Sequence, residues 1–134
     1  MKQGCQPGIK KSRTLTVDSS RVVKHLGEGL GVYATPSMVA DIESFCHSLL
    51  VDYLDEGEGS VGTHVDVKHL AATPEGMEVT LTAEITQLER RLVTFHVEVH
   101  DPVEKVGVCE HSRFVVLLDM VKQRIAEKKS RAAE

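Results

Sequence analysis

Two ionisable residues of this chain fall in apolar rows, where each must be paired, neutralised or put to use. The first is Glu43, within ATPSMVADIESFCHSLLVDY, residues 34–53. Stepping about 100° per residue, as on a helix, Val39, Ile42, Cys46, Leu49, Leu50, Tyr53 and Leu54 gather on one side. Asp41, Ser44, Ser48 and Asp52 gather on the other. Glu43 lies between Val39, Cys46 and Leu50, inside the edge of the apolar stripe. A carboxylate shielded there is a candidate base or nucleophile. An edge glutamate that snorkels to water or pairs with a lysine fits the same place. The second residue is His69, which closes the alternating row Val61, Thr63, Val65, Val67, His69. If that row faces the helix, an inward imidazole and an inward carboxylate share one small core, and each eases the other's burial. A hydrogen-bonded core histidine is the plainer alternative.

Other groupings suggest less. His96, Glu98 and His100 make an H-x-E-x-H row on one strand face, a spacing compatible with zinc. The opposite face carries Val93, Phe95, Val97 and Val99, so the row is expected to look toward solvent, with no metal bound. Cys46 sits on the helix stripe, and the neighbouring His47 points about 100° away and cannot activate it. It reads as a small core hydrophobe. Gly27-Glu28-Gly29-Leu30-Gly31 is neither a phosphate loop nor a dinucleotide fingerprint, and reads as a flexible entrance to the helix.

The elements that must position these residues follow from the pattern. Thr35 is a plausible N-cap and Pro36 suits the first helical position, so a helix is expected from Thr35 to Leu54. Thr14 to Val17 alternates as a first strand. After the break at residues 55–59, four alternating segments are expected: Val61–Leu70, Glu78–Leu88, Leu92–His100 and Lys105–Leu118. They read as an antiparallel meander, with a bulge near Glu110–Ser112 where the alternation is mixed. Residues 1–11 read as a loose arm, and 119–134 as a charged helix. One strand, one long helix and a one-faced sheet define an α+β domain, a curved antiparallel sheet wrapped around the helix. Sheet edges left open by that arrangement predict a homodimer.

The chain has 134 residues and a net charge of −4, which suits one domain and invites neither nucleic acid nor an anionic membrane. Its 3 cysteines have no metal or redox spacing and read as reduced thiols. With no apolar segment of signal or bilayer length, a cytoplasmic protein is expected.

The runs ATP-x-MV-x-x-I-E, D-x-GEG-x-VGTH-x-DV-x-H and AATP-x-G resemble the hotdog-fold acyl-CoA thioesterases related to fluoroacetyl-CoA thioesterase. The similarity spans residues 14–118. It implies a hotdog fold and a catalytic set of Thr35, Glu43 and His69, at separations of 43 − 35 = 8 and 69 − 43 = 26. It also implies that the Gly62 backbone holds substrate or catalytic water. Val61 and Pro36 are the further expected substrate-binding residues. The entrance differs: Gly27, Gly29 and Gly31 stand where the fluoroacetyl-specific enzyme carries bulky aromatic residues. The function expected is hydrolysis of a short acyl-CoA without metal or organic cofactor. Glu43 would be nucleophile or base, His69 would shuttle a proton, and Thr35 would hydrogen-bond the carboxylate or the thioester. A hotdog-type enoyl-CoA hydratase or dehydratase and a non-catalytic acyl-CoA binding module are the alternatives.

Overall fold

A computed structural model describes residues 1–134. Its main sheet has five antiparallel strands, β1 (Lys10–Thr16), β4 (Glu58–His69), β5 (Glu78–Glu89), β6 (Leu92–His100) and β7 (Lys105–Leu117), in the spatial order β1-β5-β6-β7-β4. A two-stranded ribbon, β2 (Val22–Val23) with β3 (Val32–Tyr33), precedes the long helix α1 (Thr35–Val51). A second helix, α2 (Leu118–Ala132), continues directly from β7 and buries none of its residues.

Strict alternation builds the concave face. Val79, Leu81, Ala83 and Ile85 of β5, and Val93, Phe95, Val97 and Val99 of β6, are all fully buried. From α1 they receive Met38, Ile42, Phe45, Cys46, Leu49 and Leu50. Truncating any of these large side chains to alanine should cost about 2–5 kcal/mol. Met38 and Phe45 lie outside the expected stripe, because the curled sheet wraps more of the helix than one flat face would. On β1, Arg13 closes the open margin, its guanidinium 4.9 Å from the Phe45 ring centroid and 2.9 Å from Ser48 Oγ.

Four expectations need correcting. The strands after α1 are not a simple meander: β4 pairs with β7 at the far edge, and only β5, β6 and β7 follow one another. The segment between β4 and β5 is therefore a crossover and not a hairpin turn. Thr73 is buried within it, takes the Tyr33 amide on its carbonyl and donates its hydroxyl to Asp101. The bulge lies on β4, between Gly62 and His64, and β7 keeps an unbroken register with β6 from Leu92↔Phe114 to Val99↔Gly107. Residues 1–9 are not loose, since Cys5 is buried and the Lys2 and Gly8 amides donate to the Tyr53 and Ile85 carbonyls. Finally, α1 ends at Val51, three residues short of the expected Leu54.

Candidate active site

Thr35 is the first residue of α1 and not its cap: Ala34 occupies the N-cap position, in an extended conformation and without a side-chain cap bond. The Thr35 hydroxyl is thus free for other use. It lies 2.8 Å from Nδ1 of His69, at the last residue of β4. The other ring nitrogen, Nε2, is shut away from solvent without a hydrogen-bond partner. Burial pulls the His69 pKa below its ordinary value, while the nearby Ala71 backbone, not aligned for a hydrogen bond, opposes the shift. The Tyr33 ring meets His69 edge-on, with centroids 6.2 Å apart. Tyr33 is itself held by Asp41, which also receives both Nε and Nη2 of Arg21. Burial, reinforced by Asp41, keeps the Tyr33 phenol protonated. Thr35, Pro36 and His69 line a cleft of about 440 Å³ whose other walls include Val23, His25 and Tyr33. Pro36 has no N–H, so the amides of Thr35 and Ser37 are the first free donors at this helix end.

Glu43 stands elsewhere. It is 43 − 35 = 8 residues along α1 from Thr35, about 12 Å at 1.5 Å per residue. It makes no hydrogen bond with Thr35 or His69 in the chain, so the expected Glu43–His69 contact is not formed within one copy. Its carboxylate Oε2 lies 3.7 Å from Nη1 of Arg113 on β7. The bare α-carbon of Gly62 covers this pair. A methyl group there would come 2.8 Å from Glu43 Oε2 and 3.4 Å from Arg113 Nη1. The β4 bulge makes this possible, because it resets the strand's parity. Gly62 before it and Val65, Val67 and His69 after it all face the helix side, whereas Val61 is turned outward and 43% exposed.

Arg113 is buried, which demands that its donors be matched. Nε donates to Ser60 Oγ at 2.9 Å and Nη2 to the Ser60 carbonyl at 3.1 Å. Nη1 points to His111 Nε2 at 3.1 Å and to the Glu43 carbonyl at 3.5 Å. His111 is completely buried, and its Nδ1–H donates to the His64 carbonyl at 2.7 Å. With Nδ1 donating, Nε2 is the acceptor, and the ring is neutral; burial accordingly lowers its pKa, with Arg113 adding to the effect. The Ser60 hydroxyl, which accepts from Arg113, also makes a hydrogen bond with His47 Nδ1 at 2.7 Å. Sequence reading missed Arg113 and His111. The signal lay in parity: Gly107, Cys109, His111, Arg113 and Val115 are alternate residues, and all of them are buried.

The H-x-E-x-H row lies on the convex face. His96 is flanked by Glu110 and, less strongly, Glu98, which raise its pKa, and His100 stands 4.0 Å from Glu98. Nowhere in the chain do three His, Cys, Asp or Glu side chains converge as metal ligands would. Cys46 is fully buried, and burial raises its thiol to about 12, so it is no nucleophile. No helix is long and apolar enough to cross a membrane.

A five-stranded antiparallel sheet curled around one long helix is the fold of the hotdog thioesterases. The chain belongs to the fluoroacetyl-CoA-specific thioesterase family, whose model matches residues 17–119. It is 36% identical to the fluoroacetyl-CoA thioesterase of Streptantibioticus cattleyicolor, over 96% of this chain and 97% of that one. The solved structure of fluoroacetyl-CoA thioesterase matches with a TM-score of 0.86 and 34% identity, over 94% of this chain and 98% of that one. A variant of that enzyme solved with fluoroacetate and CoA matches at 0.80 and 36% identity, covering 87% and 98%. A thioesterase superfamily member from Thermus thermophilus matches at 0.88 and 26% identity, over 98% and 99%.

Proposed function

We propose that this chain hydrolyses short acyl-CoA thioesters as a homodimer, without metal or organic cofactor. The observation that carries the reading is the 2.8 Å contact between the Thr35 hydroxyl and His69 Nδ1 at an open cleft. The fluoroacetate and CoA held by the related enzyme support the substrate class. His69 accepts the Thr35 proton at Nδ1, the ring nitrogen that the hydroxyl faces, and carries its own proton on Nε2. This prepares Thr35, or a water it holds, for attack on the thioester carbonyl. The amides at the start of α1 face the developing oxyanion. Glu43 supplies the carboxylate of the set.

One chain leaves Glu43 about two turns from Thr35, and a second copy supplies the remedy. The free edge of the sheet at β4 is 12 residues long. Two copies related by a two-fold axis would pair β4 with β4 antiparallel. The His69 end of one strand then lies beside the Gly62 half of the other. Thr35 and His69 of one copy would face Glu43, Gly62 and Arg113 of the second.

The entrance supports broad selectivity. Gly27 and Gly29 have φ of +131° and +74°, values that side chains disfavour, and Leu26 and Leu30 are exposed. A panel of acyl-CoAs assayed for thiol release tests the whole reading. Several short acyl groups should turn over, with no strong preference for fluoroacetyl over acetyl. A preference above about a thousandfold, roughly 4 kcal/mol, would overturn the selectivity. No thiol release from any of them would overturn the function.

A further inference from the structure

We infer that His111 is a positioning residue of this site: its imidazole holds the Arg113 guanidinium in place against the Glu43 carboxylate beneath Gly62. The inference rests on the thioesterase reading above, in which Glu43 belongs to the reacting set. Arg113 needs such a device because it faces the carboxylate at 3.7 Å, too far for a hydrogen bond to fix either partner. Its place must be set from behind. Ser60 anchors Nε and Nη2, and His111 alone offers a side-chain acceptor to Nη1, the nitrogen nearest Glu43.

The imidazole suits that task for three reasons. It is immobile, being fully buried and stacked over Phe95 with centroids 6.4 Å apart and planes 25° from parallel. Its tautomer is fixed, because Nδ1–H is committed to the His64 carbonyl, so the lone pair always points at Arg113. It is neutral, as the only state that can accept from a cation. The His64 carbonyl belongs to the β4 bulge, the same irregularity that turns Gly62 toward Glu43. One ring thus joins the backbone that presents Gly62 to the cation that faces Glu43.

Two conservative substitutions separate this role from a merely structural one. In His111→Gln the amide reaches the Nε2 position and can accept from Arg113, while the bond to His64 is lost. In His111→Asn the shorter amide stays near the Nδ1 position, keeping the His64 bond and losing Arg113. If His111 positions Arg113, the Gln variant should retain kcat within about threefold, and the Asn variant should lose about tenfold or more. KM should change little in either, and melting temperature should not track kcat. In an Arg113→Met background, both substitutions at 111 should have little further effect on kcat. Asn equal to the wild type with Gln impaired, or kcat falling in step with melting temperature, would overturn the assignment. Wild-type protein is assayed alongside on the acyl-CoA panel. Its failure to release thiol would instead sink the functional reading on which the assignment rests.

Discussion

The Thr35 hydroxyl and the Nδ1 of His69 stand 2.8 Å apart although 34 residues separate them in sequence. The first residue of the helix and the last residue of a strand are thereby joined at the mouth of one cleft. Thr35→Ala and His69→Ala should each lower kcat by about a hundredfold or more while the protein stays folded. The double variant should be little worse than either single one, as expected of groups acting together. Thr35→Ser should be mild. Stopped-time thiol release with circular dichroism checks this, and full activity in His69→Ala would dismiss the pair.

Shared sites across a dimer make a sharper forecast. Glu43→Gln and Thr35→Ala should each be poorly active alone. Mixed and reassembled, they should regain about a quarter of wild-type turnover, because half the dimers then hold one site free of both changes. No recovery in a mixture proven to exchange subunits would place all three residues in one copy. A monomer by sedimentation at micromolar concentration would remove the dimer altogether.

Gly62→Ala should fold but turn over slowly. The new methyl would lie 2.8 Å from Glu43 Oε2, and the carboxylate, as the flexible end of its side chain, is the atom that yields. A kcat loss of about tenfold or more with a small change in melting temperature is expected. Wild-type kcat in this variant would show that the carboxylate's position is unimportant.

The pH profile has a definite sign. His69 must be neutral to take a proton from Thr35, and burial depresses its pKa below the ordinary 6.5. The acid limb of kcat/KM should therefore lie below pH 6.5, with activity flat above it. Stability should follow the same direction. Half-buried His69 and His47 and fully buried His111 bind protons less readily folded than unfolded, so the unfolded state takes up more protons as pH falls. Their contribution is fully present above the unfolded value and is lost as pH drops toward the folded ones. An acid limb centred above pH 7 would contradict the assignment of His69 as base.

Chelation supplies a further check. Because the His96, Glu98 and His100 row lies on the convex face away from Thr35, EDTA should leave thiol release unchanged. Activity lost to EDTA and restored by zinc would overturn the cofactor-free mechanism.

Much of this arrangement was legible in the residues. Periodicity located α1 and the alternation of β5 and β6, and the family motifs picked out Thr35, Glu43 and His69. Alternation could not show that β4 pairs with β7, because register along a chain says nothing of which neighbour a strand chooses. Nor did it yield Thr35's position: a threonine before proline looks like a cap, and only the extended Ala34 shows that the cap lies one residue earlier. Arg113 and His111 escaped because charge argues for solvent, while their place in an odd-numbered buried row argues for the core. Where those signals conflict, only the three-dimensional arrangement decides between them.

The residues between β1 and α1 are pinned at both ends. Val17 exchanges backbone hydrogen bonds with Met77 and Gly76, and at the other end Ala34 donates to the Arg21 carbonyl and Tyr33 to that of Thr73. The Tyr33 hydroxyl and the Arg21 guanidinium then converge on Asp41, in the second turn of α1. Between these anchors, and before Gly31, whose carbonyl accepts from the Glu75 amide, residues 24–30 hang as an exchangeable cassette. Its length and composition can drift, or be swapped between relatives by design, without moving the helix start that carries Thr35. The architecture thus separates a loop free to change from a helix start that these bonds hold in place.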